Sequence, residues 1–111
     1  MPTDTNPAGD IFGGWLMSQM DIAGGVACAV RAKGRVATIA VDGFNFYRPV
    51  HVGDVVSCYV EILKVGKTSI NARVEAWATE STAGTDLIKV TEGIFTFVAL
   101  NNDGTKREVS R

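Results

Sequence analysis

Cysteine and histidine are scarce in this 111-residue sequence, and their scarcity removes several kinds of chemistry. Cys28 and Cys58 lie far apart, without the C-x-x-C or cysteine–histidine spacing of a redox pair or a zinc site. We expect both to be small buried side chains. The one histidine, His51, lies in RPVHVGD, where proline and glycine predict a turn and a structural role. Neither a histidine-centred triad nor a metal site is predicted.

An excess of charge of one sign is also lacking, since 11 basic and 12 acidic residues leave a net charge of −1. This balance provides no overall field for nucleic acid or an anionic membrane, so we expect neither as a partner. The longest apolar runs, 22–30 and 93–100, are shorter than the roughly 20 residues of a membrane span. The start, MPTDTNPAGD, has no signal-peptide pattern. The sequence therefore predicts a cytoplasmic protein.

Apolar residues are plentiful enough to form a core. They make up 46% of the chain and charged residues 21%, close to the average for globular proteins. A chain of this length buries roughly two-thirds of the surface that its unfolded form exposes. No repeat, low-complexity segment or linker interrupts the pattern, so we expect residues 1–111 to form a single domain.

Residues 13–33 have the apolar spacing of a helix that begins near FGGW. The preceding residues are rich in turn formers and predict a loop, with Asp10 capping the helix. Gly34 is typical of a residue just after a helix end. The predicted core-facing stripe recurs at steps of three and four residues: Leu16, Met20, Ala23, Ala27 and Val30.

After Gly34 the apolar period falls to two, which predicts strands at 35–47, 54–65, 68–80 and 86–100. Short connections favour antiparallel pairing of consecutive strands, and NNDG predicts a final hairpin turn. Strands of this length twist and curl. We expect an α+β fold in which a long curved antiparallel sheet wraps around the helix, with Gly24 and Gly25 allowing close approach to the helix backbone.

Four segments carry a family resemblance: NPAGDIFGGWLMSQMD, GRVATIAVDGFNFYRPVHVGDVV, KVGKTS and EGIFTFVALNNDG. Together they resemble the hotdog-fold acyl-CoA thioesterases of the YciA type over nearly the whole chain. The resemblance implies hydrolysis of acyl-CoA to carboxylic acid and coenzyme A without a cofactor. It also implies a homodimer with joined edge strands, in a hexamer built as a trimer of dimers. Family members usually have a strand before MPTDTN, so one sheet edge is expected to lack it.

Asp21 is the residue on which the functional prediction depends. It lies away from the predicted apolar stripe, where an aspartate is ordinarily solvated. Its helical neighbours, however, are Gly14, Met17, Gly25 and Cys28, which favour a pocket wall or a subunit interface. The resemblance implies that Asp21 is the catalytic acidic residue. It would activate a water as general base or attack the thioester to form an anhydride, and we favour the general base.

An oxyanion hole and a second polar residue complete the predicted site. Backbone N–H groups in the first turn of a helix stabilise negative charge, which suggests Gly14 as the donor and Gly13 as the residue that leaves room. Both glycines are equally consistent with a loop-to-helix turn. Asn6 alone is typical of a turn. The resemblance implies that it faces Asp21 of the partner subunit, so that isolated monomers are inactive.

Substrate contacts are predicted at two groups of residues. Cations and turn residues are predicted to contact the nucleotide of coenzyme A, although solvated turns explain them equally: Arg48, Lys67, Thr68 and Ser69. Aromatic and methionine side chains are predicted to line the acyl site, although core packing explains them equally: Phe44, Phe46, Trp15 and Met17.

Two other functions remain alternatives, because a fold does not determine a reaction. A non-catalytic module that binds or senses acyl-CoA would need only the pocket. A hydratase on the same fold would use a histidine in the site, and the position of His51 in a turn argues against it.

Overall fold

The computed structural model describes residues 7–51, 53–79 and 86–109, and side chains from residue 13 onward. Within these ranges one long helix precedes four strands: α1 (Pro7–Ala32), β1 (Val36–Phe46), β2 (Val55–Val65), β3 (Ser69–Thr79) and β4 (Leu87–Ala99). The four predicted strands are confirmed to within one residue at every end. No helix in the described ranges is long and apolar enough to cross a membrane.

The strands form one antiparallel sheet in the order β1-β4-β3-β2. The pairs β2–β3 and β3–β4 join consecutive strands as expected. The expectation is wrong for β1, which pairs with β4 and leaves β1 and β2 at opposite edges. The connecting segment passes the end of β4, where the Tyr47 N–H donates to the Val90 carbonyl at 2.7 Å. β1 and β2 are separated by three strand spacings of roughly 4.8 Å each, and the segment that connects them is long enough to cover that distance.

α1 packs on the concave face of the sheet through a stripe that shares Leu16 and Met20 with the predicted one and then departs from it. Its buried positions recur every four residues: Leu16, Met20, Gly24, Cys28 and Ala32. Val30, predicted to face the core, is 74% exposed. Gly24 explains the difference, because a Cβ there would lie 3.0 Å from the ring of Phe97. The helix therefore approaches the sheet most closely where its side chains are smallest, as expected for Gly24.

The concave face is lined by every second residue of β3, from Ile70 to Ala78. β1 reaches this core through an irregularity between Asp42 and Asn45, with Gly43 at φ 56°. Phe44 then packs over Gly93, where a Cβ would lie 2.6 Å from the Phe44 ring. Only glycine at position 93 allows this contact, which fixes β1 against β4.

The end of the chain closes over the end of α1. The predicted NNDG turn is confirmed, since Leu100 bridges to Lys106 and Gly104 adopts φ 90°. Arg107 Nη1 donates to the Ala32 carbonyl at 3.0 Å. That contact satisfies a helix-end carbonyl that has no partner within the helix.

Candidate functional site

A cavity of about 350 Å³ lies between α1 and β1, and Asp21 forms part of its wall. We call it the Asp21 cavity. Its lining combines one side of the helix with the concave face of the sheet: Gly14, Met17, Ser18, Asp21, Thr38, Val41 and Phe95.

The helical spacing explains why four of these residues share one wall. Gly14, the pair Met17–Ser18 and Asp21 follow one another at steps of three or four residues, which places them on one side of a helix. This side flanks the buried stripe of Leu16 and Met20. Of the four neighbours expected to share a pocket wall with Asp21, Gly14 and Met17 line the cavity, whereas Gly25 and Cys28 do not and Cys28 is fully buried.

The Asp21 carboxylate is held by a residue that the sequence did not indicate. Thr38 Oγ1 donates a hydrogen bond to Asp21 Oδ1 at 2.5 Å. Hydrogen bonds to a charged acceptor are short and roughly twice as strong as neutral ones. Thr38 lies on β1 opposite Phe97, whose ring is buried under the helix, so it belongs to the concave face. The available sequence signal for Thr38 was a threonine within the otherwise apolar segment VATIAV. This signal is weak, because threonine is common in strands in any case.

The predicted helix start at Gly13 and Gly14 is wrong, because α1 begins at Pro7. Proline is well suited to the first position of a helix, where its missing N–H is not needed. Both glycines therefore lie in the second turn, and their N–H groups donate to carbonyls four residues earlier. Asp10 likewise lies inside the first turn rather than before it. In this conformation the Gly14 N–H is not one of the free first-turn amides, so it is not available to donate to an oxyanion.

Gly13 and Gly14 face different cavities. A second cavity of about 320 Å³ lies on the other side of the helix, lined in part by Gly13, Phe46 and Arg48. A Cβ at Gly13 would lie 3.6 Å from the Phe46 ring, whereas a Cβ at Gly14 would meet no atom within 4 Å. The structure thus separates Gly13, Phe46 and Arg48 from the Asp21 cavity.

Three of the four predicted nucleotide contacts, Lys67, Thr68 and Ser69, lie at the far end of the helix, whereas Arg48 lies at the cavity of Gly13 and Phe46. Lys67 lines a cavity of about 490 Å³ together with Arg31, about 15 Å along the helix from Asp21. Its ammonium lies 3.7 Å from Glu108 Oε2, and both side chains are largely exposed. The Thr68 carbonyl accepts a hydrogen bond from the Ala99 N–H of β4, and the Ser69 carbonyl accepts one from the Gly66 N–H within the turn. The described chain does not bring these three residues to Asp21.

The remaining predicted residues are dispersed. Phe44 is half-buried, with its ring 5.2 Å from that of Phe46 and 6.4 Å from that of Phe95. Trp15 is 45% exposed. Asn6 lies outside the described residues.

Neither cysteine has the environment of a reactive thiol. Cys28 is fully buried, as expected, and burial raises its pKa from the ordinary 9.0 to about 11. Cys58 is half-buried rather than buried, and desolvation raises its pKa as well. In the part of the chain that the structure describes, no three His, Cys, Asp or Glu side chains lie close enough to hold a metal ion.

Comparison with known proteins identifies the family. The family profile described as the thioesterase superfamily matches residues 8–85. Acyl-CoA thioester hydrolase YciA of Salmonella typhimurium is 50% identical over 109 residues, which are 96% of this chain and 82% of that protein.

Two solved structures have the same fold. A hexameric broad specificity acyl-coenzyme A thioesterase has a TM-score of 0.85 and 50% identity, covering 100% of this chain and 76% of that one. A hexameric hotdog fold thioesterase of Campylobacter jejuni has a TM-score of 0.85 and 46% identity, covering 99% and 84%. The long helix against a curved antiparallel sheet is therefore a hotdog fold, and this chain belongs to the thioesterase superfamily.

Proposed function

We propose that this protein is an acyl-CoA thioester hydrolase that releases a carboxylic acid and coenzyme A at the Asp21 cavity. The observation that carries the proposal is the position of the Asp21 carboxylate, which lies at the wall of a largely apolar cavity with one oxygen held by Thr38. Relatives at about half identity over nearly the whole chain are named acyl-CoA thioester hydrolases.

The leaving group of a thioester needs little assistance from the enzyme. A thiol with a pKa of about 8.5 departs as thiolate much more readily than an alkoxide would. The site must therefore activate a nucleophile and stabilise the oxyanion. We assign Asp21 as general base: with Oδ1 fixed by the Thr38 hydroxyl, Oδ2 takes a proton from a water that attacks the thioester carbonyl.

Gly14 is the proposed oxyanion contact, with Gly13 leaving room beside it. Gly14 lines the Asp21 cavity, and the space where its Cβ would lie is free of other atoms. Its N–H is engaged in the helix when α1 begins at Pro7, so this role requires the residues before Gly13 to unwind in the working enzyme. Donors of this kind contribute about 3 kcal/mol each.

A second copy of the chain is proposed to complete the site. β1 is an edge strand bordering the Asp21 cavity, and exposed edges of this length require a partner. Beside it, Ile39 is 59% exposed on β1 and Ile22 57% exposed on α1. Asn6, which lies outside the described residues, is proposed on the family resemblance alone to face Asp21 of the partner subunit. The related solved thioesterases are hexameric, which supports a trimer of such dimers.

The substrate contacts stay predictions. Met17 borders the Asp21 cavity and is the best placed of the proposed acyl contacts. Lys67, Thr68 and Ser69 lie beside the far end of the helix from Asp21, a separation that the pantetheine arm between the nucleotide and the thioester of acyl-CoA would span. Acyl-CoA is a soluble metabolite, which is consistent with the proposed cytoplasmic location.

The test measures thiol release over a panel of acyl-CoA chain lengths, with the protein's own Cys28 and Cys58 subtracted as a substrate-free blank. Asp21→Asn is expected to lower kcat by about 10²- to 10⁴-fold, the range for loss of a general base. Asp103→Asn, at an exposed aspartate in the turn after β4, is the matched control and should behave like the wild-type protein, since asparagine keeps the oxygen that accepts from Thr105. Binding of coenzyme A without thiol release from any substrate would favour the non-catalytic alternative.

Oxygen-labelled water separates the two roles of Asp21. In a single turnover, a general base places the one water oxygen in the released acid. An anhydride that water opens at the Asp21 carbonyl places it instead in the Asp21 side chain, so label in Asp21 identifies the anhydride.

A further inference from the structure

Ser18 lines the Asp21 cavity with a hydroxyl group that has no hydrogen-bond partner among the described residues. A serine inside a helix often donates to the carbonyl four residues earlier, which here is that of Gly14. The described structure has no such bond, so the hydroxyl is free to contact a ligand. Among the described lining residues, Thr38 carries the one other side-chain donor, and this donor is already bonded to Asp21 Oδ1.

Helical spacing places the Ser18 hydroxyl between Gly14 and Asp21. Ser18 lies four residues after Gly14 and three before Asp21, so the three positions follow one another on one side of α1. Helical side chains lean towards the N-terminus, which brings the hydroxyl towards Gly14. A Cβ at Gly14 would meet no atom within 4 Å, so the space beside it is open. A small group of the substrate fits there, within reach of Ser18.

The substrate group that needs a donor at this point is the thioester carbonyl oxygen. Attack by water moves an electron pair onto this oxygen, and negative charge in a largely apolar cavity requires a hydrogen-bond donor. The apolar side chains that line the rest of the cavity offer none. The Gly14 N–H is engaged within α1 unless the residues before Gly13 unwind. Ser18 can donate without any such change.

We propose that Ser18 is a further catalytic residue, whose hydroxyl donates a hydrogen bond to the thioester carbonyl oxygen and to the oxyanion that forms from it. This inference rests on the proposed hydrolysis at Asp21. The attacking water gives a proton to Asp21 Oδ2 and bonds to the carbonyl carbon, whose C=O electron pair moves to oxygen. Ser18 keeps its proton throughout. When the C=O bond reforms, the C–S bond breaks, and the thiolate of coenzyme A takes the proton from Asp21.

Steady-state thiol release by the wild-type protein, Ser18→Ala and Ser18→Thr tests the proposal. Loss of an interaction made mainly in the transition state lowers kcat and kcat/KM together. We expect both to fall roughly 10- to 100-fold in Ser18→Ala, the effect of losing one hydrogen bond to a charged group. Ser18→Thr keeps the hydroxyl and should recover most of the activity. Alanine favours helices more than serine does, so unfolding would not explain the loss.

Ser57→Ala is the matched control, because it removes a serine hydroxyl far from the cavity. Ser57 lies on β2 between Val56 and Cys58, whose side chains pack against the core. Side chains alternate along a strand, so Ser57 faces the side of the sheet away from α1. Its kcat and KM should equal those of the wild-type protein.

Infrared spectroscopy separates a contact with the carbonyl from a contact with the attacking water. Asp21→Ala holds an acyl-CoA, isotope-labelled at its carbonyl carbon, without turnover. A hydrogen bond to the carbonyl oxygen weakens the C=O bond and lowers its stretching frequency. We therefore expect a lower frequency in Asp21→Ala than in the double variant Asp21→Ala, Ser18→Ala.

Equal stretching frequencies in these two variants would overturn the proposal and assign Ser18 to the water instead. A Ser18→Ala enzyme with the wild-type kcat, or a Ser18→Thr enzyme no faster than the alanine variant, would be equally contrary. A wild-type protein that binds acyl-CoA without thiol release refutes the proposed hydrolase. The stretching frequencies, measured then on the wild-type protein and Ser18→Ala, still report on the Ser18 contact.

Discussion

Replacing Thr38 with valine removes the hydroxyl that holds Asp21 and leaves the shape of the side chain almost unchanged. The wild-type contact is a hydrogen bond of 2.5 Å between Thr38 Oγ1 and Asp21 Oδ1. If Asp21 is the general base, freeing this oxygen lets the carboxylate rotate away from the attacking water. We therefore expect Thr38→Val to lower kcat and to change KM little.

The size of the effect follows from the strength of the bond. Hydrogen bonds to charged groups are worth about 1.5–3 kcal/mol. Thr38 is exposed and Asp21 only half-buried, so water compensates in part and the lower end applies. About 1.5 kcal/mol corresponds to a fall of roughly tenfold in kcat. That is smaller than the loss expected for Asp21→Asn, because the base itself remains.

The assay compares steady-state thiol release by wild type, Thr38→Val and Thr38→Ser on one preferred acyl-CoA. Thr38→Ser keeps the hydroxyl and should recover most of the activity. Thermal unfolding of the three proteins controls for a loss of folded enzyme. A Thr38→Val enzyme within twofold of wild type, or a Thr38→Ser enzyme as slow as the valine variant, would refute the positioning role.

Two further predictions concern stability. Gly25→Ala should raise the free energy of unfolding by about 1 kcal/mol through helix propensity. Gly24→Ala should lose that gain because its Cβ would press on Phe97 and Val74, and overpacking of this kind costs about 1–3 kcal/mol. Equal denaturant midpoints for the two variants would contradict this prediction. Cys28 should make unfolding easier at high pH: its folded pKa of about 11 exceeds the ordinary 9.0, so the stability it contributes is present below pH 9.0 and lost towards pH 11. The stability of the wild-type protein should therefore fall relative to Cys28→Ala over that range in denaturant titrations, and a constant difference would argue against the shift.

Local pattern predicted the strands well and their arrangement incompletely. Alternation of apolar residues and the position of turns located all four strands, because both signals are local. The pairing of β1 with β4 was missed, since a short link does not reveal whether it makes a hairpin or passes the end of the sheet. The start of α1 was placed too late because Pro7 and Gly9 also favour turns, and both are tolerated in an opening helical turn.

The face of α1 was misjudged for a different reason. The spacing of apolar residues suggested that Val30 belongs to the core, but the closest approach of helix and sheet selects small residues, and Gly24, Cys28 and Ala32 occupy it. Asp21 and its neighbours were predictable because helical spacing places them together. Thr38 was not, since its contact with Asp21 depends on how β1 docks beside the helix, which only the tertiary structure determines.

The order of strands along the sheet has a consequence for how the protein acquires its activity. β2, β3 and β4 follow one another along the chain and can pair as soon as each turn closes, whereas β1 must wait for β4, whose residues lie near the opposite end of the sequence. Loop closure over such a distance is entropically costly and slows pairing. The carboxylate and its hydroxyl partner would thus meet in one of the last steps of refolding, after most of the sheet has already formed.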